Sequence, residues 1–166
     1  MEQQQVYHIF ISHAWKYGEA YDKLIHLLKM ANSFRWTNYS VPQNKPILTP
    51  DELGDDDLLL AKLAEQIRQA SCVLVISGMY VNHKRWMQAE IDVAHQYNKP
   101  IIGIKPRGHV HTPKEVQNAA TVMVGWNTVS IVNAIRNLCQ LKEKKVVDNQ
   151  TTFSQRVLKN LNRPQK

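Results

Sequence analysis

The chain is 166 residues long, 43% hydrophobic and 21% charged, which is the size of one ordinary domain able to bury a core without disulfides or metals. Its opening, MEQQQVYHIF, lacks a basic segment followed by a long apolar one, and no later run approaches the roughly 20 apolar residues of a spanning helix, so neither export nor membrane insertion is expected. The formal charge of +7 is concentrated in residues 140–166, where seven Lys and Arg face only Glu143 and Asp148; without a helix-turn-helix, zinc-ligand or RNA-binding aromatic signature this reads as a solvated basic tail, not a nucleic-acid surface.

The first element is a strand, VYHIFIS (6–12), followed by a helix in which Ala20, Leu24, Leu27, Leu28 and Ala31 recur at helical spacing. FRWTNYSVPQNKPILTP is a short second strand or extended segment running into a long loop, and loops of that length usually have a function. TPDELG (49–54) has the capping-box pattern of a short turn, and a proper helix starts near Asp56 with Leu59, Leu60, Leu63, Ile67 and Ala70 inward. SCVLVIS is a near-continuous apolar run, as expected of a central parallel strand covered on both faces. RWMQAEIDVAHQY (85–97) is a helix with Trp86, Glu90, Val93 and Tyr97 along one face. KPIIGIK is the next strand, TPKE (112–115) a second capping box opening a short helix, ATVMVGW the last strand, and NTVSIVNAIRNLCQL a last helix with Ile131, Val132, Ile135 and Leu138 inward. Cys72 lies in a strand and Cys139 in a helix, so no disulfide framework or CxxC motif is available and a cytoplasmic setting with reduced thiols is expected.

This order of alternating strands and helices predicts an α/β, flavodoxin-like three-layer fold: a five-stranded parallel sheet with helices on both faces. Ligands in such sheets bind outside the carboxyl ends of the strands where strand order reverses, here between the first and third. That point receives Ser12, His13 and Ala14 from the first strand and Ser77, Gly78, Met79 and Tyr80 from the third, with Glu90 on the helix that follows and GMYVNHKR long enough to fold back over the crevice. A carboxylate among Trp, Val and Tyr is either partly withdrawn from water or facing a cleft; the plain alternative is a surface charge paired with Lys84 or Arg85. There is no GxxxxGK[ST] or GxGxxG loop, and a phosphorelay receiver would need an aspartate where the third strand ends in VIS. His109 and His111 lack a third ligand at a recognised spacing, so no metal is expected.

YHIFISHAW, RWTNYSVP, VLVISGMY and RWMQAEIDVA together resemble the TIR-like domain family of the Thoeris anti-phage defence protein ThsB, and the Trp86-to-Glu90 step is similar to that of TIR domains generally. The resemblance covers about residues 5–140, giving a TIR-like NAD-processing domain at 1–141 and a basic, partly helical tail at 142–166. It implies that Glu90 is the catalytic residue for cleaving the nicotinamide–ribose bond of NAD, where one carboxylate suffices because the leaving base is already cationic. It further implies an NAD glycohydrolase or cyclase that makes a cyclic ADP-ribose isomer, with the 1''-3' form expected, as a second messenger for a separate Thoeris effector. NAD is then the substrate and no cofactor is needed.

Cyclisation needs a folded substrate shielded from water. Phe10, Trp36 and Tyr80 are the aromatics best placed to shield or stack, Trp86 lies one turn before Glu90, and Ser12, His13, Asn38, Ser40 and Ser77 are candidates to hold ribose or phosphate. The alternative is core packing for the aromatics and turn chemistry for the polar residues. A phage-derived activator and a homo-oligomer formed on activation are further expectations, although WTNYSVPQNKPILTP does not read as the usual TIR BB loop, so assembly need not follow other TIR proteins. The rivals are a non-catalytic TIR interaction or sensor module and a nucleoside deoxyribosyltransferase-like enzyme.

Overall fold

The structure, a computed structural model, describes residues 5–12, 18–40, 56–108 and 110–140. His13, the TPDELG turn, the loop across 41–55, His109 and the basic tail lie outside the described residues. The elements in chain order are β1 (Val6–Ser12), α1 (Glu19–Lys29), β2 (Arg35–Asn38), α2 (Asp56–Gln69), β3 (Cys72–Ile76), α3 (Ser77–Tyr80), a 3-10 turn (Val81–His83), α4 (Lys84–Gln96), β4 (Ile101–Ile104), α5 (Lys114–Ala119) and β5 (Val122–Val124). Residues 128–140 form α6.

All five strands are parallel, in the order β2-β1-β3-β4-β5. Order therefore reverses between β1 and β3, as the α/β alternation predicts. Strand parity divides the core into two layers. Tyr7, Ile9 and Ile11 of β1, with Cys72, Leu74 and Ile76 of β3, pack on Leu24 and Leu28 of α1 and Ile131 and Ile135 of α6. Phe10 of β1, with Val73 and Val75 of β3, packs on Leu59, Leu63 and Ile67 of α2 and Met87 and Ile91 of α4. Every residue of β3 is buried, which is why CVLVI shows no alternation.

The inward face of α4 carries Met87, Glu90, Ile91, Val93 and Ala94, while Trp86 and Tyr97 are half-buried at its margins. The apolar stripe is thus rotated by about one residue from the Trp86–Tyr97 line read in the sequence, with Glu90 inside it in either case. The helix stops where Asn98 takes φ 51°, a left-handed position that asparagine tolerates, and Lys99 N–H bonds back to the Ala94 carbonyl at 2.8 Å.

Two local expectations are corrected. GMYVNHKR is not an open loop over the crevice: α3, the 3-10 turn and the start of α4 run through it in helical conformation. The capping box at TPKE does not form: the residue preceding α5 is Pro113, no side chain caps the helix, and Glu115 instead meets Lys84 of α4 at 2.8 Å. No helix among the described residues is long and apolar enough to cross a membrane.

Candidate active site

The alternation that points Ile9 and Ile11 toward α1 turns Phe10 and Ser12 toward α2 and α4. Ser12 ends β1, pairs in register with Val75 of β3 and is fully buried. From the other side Glu90 projects off the middle of α4 and is only 4% exposed. The two meet: Ser12 Oγ donates to Glu90 Oε2 at 2.5 Å, across 78 residues of sequence. The ion-pair alternative fails, since Lys84 pairs with Glu115 and Arg85 with Asp56, both on the surface.

Burial dominates the electrostatics of Glu90. It raises the carboxyl pKa to about 8, while the Ser12 hydrogen bond pulls in the opposite direction and is outweighed. The group is therefore mostly protonated at neutral pH in the unliganded protein. A carboxylate in such a setting has little competing solvation, so it would interact strongly with a cation brought beside it.

Ser77 follows the last residue of β3. It is fully buried, and its Oγ has no hydrogen-bond partner. An orphaned buried hydroxyl costs about 1–3 kcal/mol and calls for an explanation, and a ligand hydroxyl or phosphate at the β1/β3 edge is one.

The other sequence-named residues divide sharply. Phe10 is 1% exposed and lies in the same core layer as Glu90. Tyr80 is not a shield at a strand exit: it is 1% exposed in that layer, its hydroxyl donates to Gln88 Oε1, and desolvation pushes its pKa up. Trp86 is half-buried against the same layer, with the Arg85 guanidinium 5.4 Å from its ring centre. Trp36 packs in the opposite layer, beyond the sheet from Glu90. Asn38 and Ser40 close the exit of β2: Asn38 Oδ1 accepts from Ser40 N–H at 2.9 Å, Asn38 Nδ2 donates to the Tyr21 hydroxyl at 2.9 Å, and Ser40 Oγ accepts from Ile11 N–H at 2.7 Å. Their geometry is that of a turn tied to the neighbouring strand. The structure thus brings Ser12 to Glu90, keeps Phe10 and Trp86 in the same layer, and separates Trp36.

Sequence reading passed over a cleft of about 320 Å³ on the α1/α6 side, lined among others by Lys23, Ile76, Met79, Pro106, Arg107 and Trp126. The available signal was positional, because Arg107 and Trp126 follow the carboxyl ends of β4 and β5. Among the described residues no cluster of His, Cys, Asp or Glu is placed to hold a metal.

A conserved protein from Enterococcus faecalis V583 has a crystal structure similar to this fold, with a TM-score of 0.54 at 10% identity over 80% of this chain and 99% of that one. A Clostridium botulinum CMP N-glycosidase, BcmB, superposes with a TM-score of 0.46 at 14% identity over 78% of this chain and 98% of that one. No curated protein matches the chain significantly. The model of the TIR-like domain of the Thoeris protein ThsB matches residues 10–111, a span that runs from Phe10 past Ser12, Ser77 and Glu90 to the β4 exit. The chain belongs to the Thoeris ThsB TIR-like domain family.

Proposed function

We propose that the protein cleaves the nicotinamide–ribose bond of NAD and closes the ADP-ribosyl fragment on itself, giving a cyclic ADP-ribose isomer that signals to a separate Thoeris effector. The observation that carries this reading is the buried Ser12–Glu90 pair at the carboxyl edge between β1 and β3. In the reaction the C1–N bond to nicotinamide breaks, the base departs neutral with the bonding pair, and the ribose becomes oxocarbenium-like. Ionised Glu90 stabilises that charge from a poorly solvated position, and Ser12 fixes the carboxylate so that little reorganisation is needed. A hydroxyl of the adenosine ribose then attacks the anomeric carbon and releases its proton. A 1''-3' linkage results if the 3' hydroxyl is the nucleophile. Water would compete, so cyclisation requires the fragment to be held folded and shielded. Ser77, with its unpartnered hydroxyl, is the best placed of the polar residues to hold a ribose hydroxyl.

The near-complete burial of Glu90 favours a second reading, a non-catalytic module that recruits partners through its surface. The two readings separate in filtered lysates of cells expressing wild type or Glu90→Gln, with and without phage, assayed by mass spectrometry for species isomeric with cyclic ADP-ribose. A product that appears on infection and requires Glu90 supports the cyclase. Protection of cells by folded protein with no such product, or protection undiminished in Glu90→Gln, supports the module.

A further inference from the structure

The carboxyl edge of the sheet carries chemistry on both faces. Glu90 and Ser12 lie on the α2/α4 side, whereas the cleft of about 320 Å³ opens on the α1/α6 side, with Ile76 of β3 among its walls. Helix α3 stands between them: Tyr80 is buried in the Glu90 layer while Met79 lines the cleft. Met79 also packs against both core layers, so it is the side chain where the two sides of the sheet edge meet.

Its chemistry is specific. Ile76 and Met79 give it apolar walls, and Trp126, half-buried, provides a planar one. The Arg107 guanidinium lies 4.8 Å from the Trp126 ring centre, and it acts electrostatically on Glu19, the acidic residue of the lining. Lys23 pairs with Glu19 one turn away on α1, but both are solvent-exposed, at 44% and 80% of the side chain, so that contact exchanges readily for a stronger anion. Two cations, with the exposed carboxylate Glu19 beside them, thus flank an apolar slot with an aromatic wall, at the strand ends where α/β sheets place ligands. The guanidinium matches phosphate geometry, and its stacked position keeps it pre-organised. The volume is at the small end of the roughly 300–1,000 Å³ typical of ligand pockets and suits one nucleotide better than two.

We infer that this cleft is a second ligand site, distinct from the Glu90 site, which takes a mononucleotide with its base against Trp126 and Met79 and its phosphates between Lys23 and Arg107. It does not depend on the NAD chemistry proposed for Glu90.

The test is isothermal titration of the full chain with ADP, adenosine and inorganic pyrophosphate. The proteins are wild type, Glu90→Gln, Trp126→Leu and the double variant Lys23→Ala/Arg107→Ala, with melting curves to confirm folding. Expected are saturable ADP binding that Glu90→Gln retains, a loss of affinity of about tenfold or more in the double variant, and a smaller loss in Trp126→Leu. Adenosine and pyrophosphate should each bind at least about tenfold more weakly than ADP. Absence of saturable ADP binding to Glu90→Gln overturns the proposal, as does full affinity in the folded double variant. Pyrophosphate binding as tightly as ADP overturns the nucleotide assignment by showing a bare anion site.

Discussion

Glu90 is kept protonated near neutral pH by its own burial, and that state has consequences both for stability and for rate. Its pKa is raised from 4.5 to about 8 on folding, so between these values the native protein holds a proton that the unfolded chain has released. The contribution to stability is therefore fully present below about pH 4.5, falls as pH rises, and is lost above about pH 8, with a limiting slope of about 1.4 kcal/mol per pH unit. Glu90→Gln preserves the shape and still accepts from Ser12, but cannot ionise. Urea melts from pH 5 to pH 9 should show the variant gaining on wild type by a few kcal/mol as pH rises; parallel curves would mean that Glu90 is solvated in solution. For the proposed reaction the ionised form is required, so kcat/KM for NAD should climb with pH, reach half its plateau near pH 8 and level off above that. Ser12→Ala removes the one interaction that lowers this pKa, and its pH–rate profile should move to higher pH with the shape unchanged. A profile that stays in place would show that Ser12 does not touch the carboxyl during turnover.

At the scale of elements, the tightest constraint joins β4 to β5. A Cβ at Gly103 would lie 2.2 Å from Met123 Sδ and 3.3 Å from Ala120 Cβ, so the sheet accepts only glycine there unless the thioether moves. Because Met is flexible and Met123 is only partly buried, Gly103→Ala should cost about 1–2 kcal/mol, and adding Met123→Ala should return part of that loss. Chemical denaturation of the four proteins of this double-mutant cycle measures the coupling; strict additivity would contradict the close approach.

Elements of this kind were largely legible in the sequence. CVLVI announces a buried central strand and VYHIFIS a first strand, and both form where expected. What escaped was decided by contacts distant in sequence. Glu115 leaves the TPKE cap for Lys84, 31 residues away, and the segment after β3 coils into α3 with Tyr80 buried among α2 and α4 residues of the core layer. The same holds at the site. Glu90 was readable because it interrupts an apolar face, but its bond to Ser12 spans 78 residues and is fixed only by sheet register. Trp36 sits on a four-residue edge strand with mixed exposure, whose pattern does not say which face turns toward Glu90.

Seen as a whole, the molecule is organised around β3. It is hydrogen-bonded to β1 on one side and β4 on the other, and its side chains alternate into both core layers, with every one of them buried. Ser12 is anchored to it through the register with Val75, and Ser77 continues it directly. Edge strands β2 and β5 are short and more exposed, and each is bonded to a single neighbour. The candidate site is therefore expected to rest on the part of the fold that opens only with global unfolding, and the Arg107–Trp126 cleft, built partly on the exit of β5, on a part that opens at lower free energy. Native-state hydrogen exchange should show this difference. Amides of Val73–Ile76 and Phe10–Ser12 should exchange last and with the same free energy as denaturant unfolding, and those of Val122–Val124 and Arg35–Asn38 should exchange earlier. Exchange of β3 at the rate of β5 would refute a common central scaffold. With the expected ranking, nucleotide binding in the cleft should slow the β3 amides by the full binding stabilisation, because the global unfolding through which they exchange destroys the cleft, and should slow the β5 amides only if their local opening destroys it too.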